Sequence, residues 1–203
     1  MKRTRVLSIA IGVVAAAAVL AGCGGGEDMG NMPGHGAPTS TAQPEGSGQA
    51  AHNAADVTFA QGMIPHHQQA IEMARLAPER AQSEEVKNLA RQIEAAQGPE
   101  IETLTGWLRD WGAAESMPGM QHGDMGHGGM MSDEEMGQLS QARGADFDRQ
   151  FLAMMIKHHE GAVAMSQTEL SSGQFPAAKQ LAQRIIDTQQ AEINTMRGLQ
   201  SQT

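Results

Sequence analysis

Residues 53–111 and 132–201 predict an all-α protein, a four-helix bundle made of two repeated αα-hairpins. Two observations carry that reading. Ala, Gln, Glu, Leu and Met dominate both stretches, β-branched runs are absent, and apolar residues recur at spacings of three and four, as in helices with one buried stripe. The chain also repeats itself at an offset of 92. Between 56–74 and 148–166, eight of nineteen positions are identical, including Asp56/Asp148, Met63/Met155, His66/His158, His67/His159 and Met73/Met165. Between 87–104 and 179–196, eight of eighteen are identical, including Gln97/Gln189 and Glu100/Glu192. One hairpin thus occurs twice, and packing the two copies together buries both stripes.

The first 22 residues read as an export signal. "MKRTR" supplies the positive start, "VLSIAIGVVAAAAV" an apolar run too short for a comfortable membrane span, and "LAGC" small residues before Cys23. "LAGC" resembles the lipobox of bacterial lipoproteins, which implies cleavage before Cys23, lipidation of its thiol and a membrane anchor on the extracytoplasmic face. Cys23 is the sole cysteine, so no internal disulfide forms. Removal of Lys2, Arg3 and Arg5 takes the formal charge from −9 to −12, which argues against nucleic acid as a partner and suits an attractor of cations. Residues 24–52, rich in Gly, Pro, Ser, Thr and Gln, read as a disordered tether with a reach of roughly 30 Å.

The bundle is expected over 53–203: a hairpin at 53–111, a Met/His-rich loop at 112–131 and a hairpin at 132–201. Helices are expected near 54–77, 83–110, 133–171 with a break at Gly144, and 175–200. "SDEE" at 132–135 forms a capping box, and Phe175-Pro176 opens the last helix. Pro65 and Gly98-Pro99 lie inside helical patterns and should bend their helices. The connecting "SMPGMQHGDMGHGGMM" carries Met117, Met120, His122, Met125, His127, Met130 and Met131 among glycines. It has no core to fill, so its methionines read as weak metal donors rather than packing.

On a helical wheel at about 100° per residue, the repeated residues of each first helix share one face. His66 and His67, like His158 and His159, flank the stripe that looks inward. Counting residues back through each turn places Gln97 and Glu100 near the level of His66, and Gln189 and Glu192 near His158. With up-down-up-down topology the first and third helices run parallel, and one layer should hold the four histidines, Met63, Met155, two Gln and two Glu.

A polar layer in a core is costly unless paired. Two arrangements satisfy it. One is a metal-free hydrogen-bonded network that fixes hairpin pairing, which makes the protein a helical interaction module. The other is a metal held by imidazole and thioether, supported by Gln97, Glu100, Gln189 and Glu192. Thioether plus imidazole without thiolate favours copper, above all Cu(I), with Ag(I) as a competitor. Enzyme chemistries fare poorly. The Glu-x-x-His of di-iron bundles and the His-Glu-x-x-His of zinc hydrolases are absent from the sequence. A copper oxidase would need an open coordination position and a substrate pocket, and the sequence signals neither.

"FAQGMIPHHQQAIEMARLA", "FDRQFLAMMIKHHEGAVAMSQ" and "QGPEIETLTGWL" resemble the paired His-His motifs and second-helix motif of the bacterial family known as domain of unknown function 305. The resemblance covers about 53–200. It implies an antiparallel, ferritin-like four-helix fold and kinship with exported copper-binding proteins linked to copper tolerance. It also implies metal ligation by Met63, His66, His67, Met155, His158 and His159, with Met73 and Met165 as further candidates. The expectation is a membrane-anchored, non-enzymatic lipoprotein that buffers Cu(I) or passes it to a copper exporter or acceptor protein.

Overall fold

The structure, a computed structural model, describes residues 51–115 and 128–202. The export signal, the Cys23 lipidation site and the tether to residue 50 lie outside the described residues. So do Met117, Met120, His122, Met125 and His127 of the loop. Among the described residues there are five helices: α1 (Ala54–Arg80), α2 (Glu84–Asp110), α3 (Asp133–Gln141), α4 (Ala145–Ser172) and α5 (Pro176–Gln200). Among the described residues no helix is long and apolar enough to cross a membrane.

Local chemistry sets the ends. Asn53 caps α1 in a capping box with Asp56, Ser83 caps α2, and Ser132 caps α3 in the expected box with Glu135. α1 runs through Pro65 and Pro78 and ends three residues later than expected; α2 runs unbroken through Pro99. The expected break at Gly144 separates the short α3 from α4. Gly144 takes φ 62°, a conformation that favours glycine, and its N–H donates to Arg80 O at 2.7 Å. Pro176 starts α5 after Phe175, as the sequence predicts.

α1 pairs with α2 and α4 with α5, and the two hairpins meet along α1 and α4. Their direction corrects the expected topology. Asn53, before α1, donates through its side chain to Ser172 O at the end of α4 at 2.9 Å. The end of α1 meets Gly144 at the start of α4. α1 and α4 are therefore antiparallel, and the order is up-down-down-up. The chain must return the length of the bundle between α2 and α4, which is why 34 residues separate Asp110 from Ala145. That single long crossover is a ferritin-like feature.

The reversal gives the repeat approximate two-fold symmetry, and Asp56 and Asp148 lock it. Asp148, fully buried, accepts from the N–H groups of Gln82 at 3.1 Å and Ser83 at 2.9 Å. Asp56, also buried, accepts from Gln174 at 3.0 Å and Phe175 at 2.9 Å. Each carboxylate thus closes the turn of the other hairpin, at positions 92 residues apart. Burial raises the Asp56 pKa, but the N–H groups of Asn53, Phe175 and Gln174 outweigh it and hold the carboxyl below its ordinary value.

The core divides into two apolar clusters. One gathers Met73, Ile93, Leu139, Phe147, Phe151, Leu152 and Met155; the other gathers Phe59, Met63, Leu104, Leu108, Leu181 and Ile185. Met131 belongs to the first, 5% exposed, with its backbone N–H and C=O both bonded to the Gln69 side chain at 2.7 and 2.8 Å. The expectation that no loop methionine packs is thus corrected for Met131. The glycines before it had hidden a short strap that folds onto α1. Met130 is half-buried beside Pro65 and Gln69.

Candidate metal centre

All four histidines point inward. His66, His67, His158 and His159 are each 1% exposed or less. Each pair sits near the midpoint of its helix, so antiparallel α1 and α4 bring the pairs to one level as well as parallel helices would. The His66 and His158 rings approach to 3.7 Å between centroids, inclined at 40°. Within each helix the neighbouring rings lie 6.4 Å apart, because adjacent residues diverge by about 100°.

The supporting carboxylates lie where the residue count put them. His67 Nε2 is 2.7 Å from Glu100 Oε2, and His159 Nε2 is 2.7 Å from Glu192 Oε2. In a neutral ring, Nε2 must then donate, and the lone pair falls on Nδ1. His66 follows the same logic through another partner: its Nε2 lies 2.8 Å from Gly128 O, which can only accept. The buried Nδ1 atoms of His66, His67, His158 and His159 have no hydrogen-bond partner, and neither does His158 Nε2. Gln97 and Gln189 are buried beside the layer with unpartnered side-chain oxygens. Buried lone pairs without donors are expensive; a cation that accepts lone pairs relieves them. The donor chemistry therefore fits a metal ion.

The Gly128 carbonyl reaches His66 because the strap crosses α4 at Gly161. A Cβ on Gly161 would stand 1.7 Å from Gly128 O, and one on Gly129, at φ 75°, 2.4 Å from Lys157 O. Only glycine allows that approach.

Met63 and Met155 are fully buried but fall in different apolar clusters, to either side of the histidines. Because α1 and α4 are antiparallel, Met63 and Met155, each three residues before its histidine, step off the level of the rings in opposite directions rather than to the same side. Met73 joins Met155 in one cluster and Met165 flanks Met63 in the other, so each side of the histidines carries two thioethers. Among the described residues, no three His, Cys, Asp or Glu side chains are arranged to hold one ion.

Burial keeps His66 and His158 from taking up protons near neutral pH. It depresses His66 to about 3, with His67 adding repulsion, and drives His158 well below its ordinary value, with His66 adding repulsion. Both rings are neutral donors at pH 7. Between about pH 6.5 and about pH 3 the unfolded chain binds protons on them that the folded chain refuses. Their contribution is intact above about 6.5 and falls as acid is added, by up to about 1.4 kcal/mol per pH unit for each ring. Urea titrations of the metal-free protein from about pH 7.5 to about pH 4.5 should show this slope, and His66→Gln with His158→Gln should flatten it.

Sequence reasoning missed Glu169. It is 1% exposed with both oxygens unpartnered. Burial, reinforced by the nearby Asp56, pushes its carboxyl up to about 8. Its repeat partner is Ala77, so the repeat gave no signal for it.

The family described as Domain of unknown function (DUF305) matches residues 56–200. A DUF305 fragment from Deinococcus radiodurans superposes with TM-score 0.69 at 34% identity, covering 74% of this chain and 98% of that one. A candidate secreted DUF305 protein from Streptomyces coelicolor gives 0.67 at 32%, covering 73% and 91%. CopM in its Cu(I)-bound form gives 0.62 at 32%, covering 72% and 96%; Cu(II)-bound and Ag-bound forms of CopM are similar too. The uncharacterized protein L153 of Acanthamoeba polyphaga mimivirus is 44% identical over 52 residues, and the match spans 34% of its length and 26% of this chain.

Proposed function

The chain belongs to the DUF305 family, and from that premise we propose that it is an extracytoplasmic, membrane-anchored copper-binding lipoprotein. It buffers Cu(I), or Ag(I) in its place, or hands it on to an exporter or acceptor protein. The observation that carries the reading is the set of four buried, unpartnered Nδ1 atoms, three of them left as lone pairs by acceptors on the opposite nitrogen. Carboxylate behind imidazole is the usual way a metal-bound histidine is oriented. Buried methionines on both sides of the layer supply soft donors, and the similar CopM structures hold Cu(I), Cu(II) or Ag. Thioether beside neutral imidazole favours Cu(I) over Cu(II). The role is binding rather than catalysis, and the Cys23 thiol carries the anchor.

The His67–Glu100 and His159–Glu192 pairs also support a second reading, a metal-free module whose polar layer only fixes hairpin pairing. Thermal unfolding of the mature chain separates the two. Saturating Ag(I) should raise Tm by several degrees, since binding to the folded state alone stabilises by RT ln(1 + [L]/Kd), about 2.7 kcal/mol at 100 times Kd. An unchanged Tm favours the metal-free module.

A further inference from the structure

The two-fold symmetry of the layer fails at one end, and the failure leaves an opening. The seam between α1 and α4 has two equivalent halves on either side of the histidines. Over one half lies the crossover: α3 packs on both α1 and α4, and Leu139 is fully buried. There Phe147 fills the seam, 0% exposed and stacked on Phe151 at 5.7 Å, beside Ala77 and Met73, both fully buried.

In the other half the residue 92 positions from Phe147 is Ala55, and the residue 92 positions from Ala77 is Glu169. With no aromatic ring in that place, a hollow of about 340 Å³ opens, lined by Ala55, Thr58, Phe59, Met165, Thr168 and Glu169. Met73 is sealed, but its counterpart Met165 is only half-buried. Met165 also reaches inward. A Cβ on Gly128 would lie 3.7 Å from its Sδ and 4.0 Å from His66 Cδ2, and a Cβ on Gly62 would lie 2.9 Å from its Cε. The Met165 thioether, which lines the hollow, and the His66 ring thus both face the space beside Gly128. One helical turn beyond it, on the same face of α4, stands Glu169 with two unpartnered oxygens.

We propose that soft monovalent metal ions pass to and from the histidine layer through this hollow, with the Glu169 carboxyl and the Met165 thioether as successive donors along the way. The proposal rests on the metal-binding reading above and adds its direction: the layer is loaded and emptied from one end. Glu169 gives the passage a buried hard donor, and the half-buried Met165 gives a soft one that can be exchanged for imidazole. Neither donor has an equivalent passage at the sealed end.

The test copies the sealed half onto the open one. Ala55→Phe places in the hollow the ring that Phe147 supplies opposite, without replacing a candidate ligand. The mature chain loaded with Cu(I) is mixed with an excess of a coloured Cu(I) chelator, and release is followed by stopped-flow absorbance. Ala55→Phe should keep the wild-type Cu(I) stoichiometry while slowing release by about tenfold or more. Glu169→Gln, which keeps shape and removes the carboxyl that could give up its proton to a metal ion, should slow it by about threefold or more, and it carries the test alone if phenylalanine is not accommodated. Wild-type release rates in a folded, fully loaded Ala55→Phe or Glu169→Gln chain overturn the passage and leave copper binding standing. A wild-type chain that takes up no Cu(I) overturns the reading beneath it as well.

Discussion

Replacing His66, His67, His158 and His159 with Ala should abolish the tight fraction of Cu(I) binding, with affinity falling more than about 100-fold. The reasoning is one of donors. The Nδ1 atoms of the four rings are buried and unpartnered, and the two histidine pairs sit at one level of the bundle. Removing only the supports, by Glu100→Gln and Glu192→Gln, should cost less, about 10–100-fold, the usual effect of losing the partner that orients a metal-bound imidazole. The fold should survive both changes, since the apolar clusters on either side of the layer are untouched. Competition titration against a Cu(I) chelator under anaerobic conditions measures each value. Equal affinities for the wild type and the four-alanine chain would move binding away from the layer.

The second large effect is on stability. Asp148→Ala and Asp56→Ala should each destabilise the metal-free bundle by about 2–4 kcal/mol, because each leaves two turn N–H groups without their charged acceptor. Asp56→Ala should be the costlier, since Asp56 also closes the capping box with Asn53 N–H at 2.6 Å. Urea unfolding monitored by circular dichroism reads both, and copper affinity of the folded fraction should change little. A shift under about 0.5 kcal/mol in either variant would mean that the turns are satisfied in another way.

The sequence made the helices and the histidine layer legible because both write themselves periodically. Apolar spacing marked the helices, and Gly144 and Ser132 marked the boundaries of α3. Counting through the short turns put Glu100 and Glu192 beside the histidines, and both lie at 2.7 Å. Helix direction was not legible in that way. A pair of histidines at mid-helix meets its counterpart whether the helices are parallel or antiparallel, so the layer forms either way. Two clues favoured the reversal. The gap between the hairpins is long enough to travel the bundle, and Asp56 and Asp148 are matched carboxyls with no local partner for a buried charge beyond the cap. Once the direction is known, the division of Met63 and Met155 between two clusters follows. Met131 and Glu169 lacked any repeat partner of their own kind, and nothing short of the packed structure places them.

The central claim is that the layer, rather than the methionine-rich loop, is the tight site. It is tested most directly on a mature chain in which Met117, Met120, His122, Met125 and His127 are replaced by Ser, loaded with one equivalent of Cu(I) and studied by X-ray absorption at the copper edge. Imidazole nitrogen scattering alongside sulfur, with tight binding retained, is the predicted result. Loss of tight binding in that chain, or a spectrum with no imidazole scattering, would contradict it.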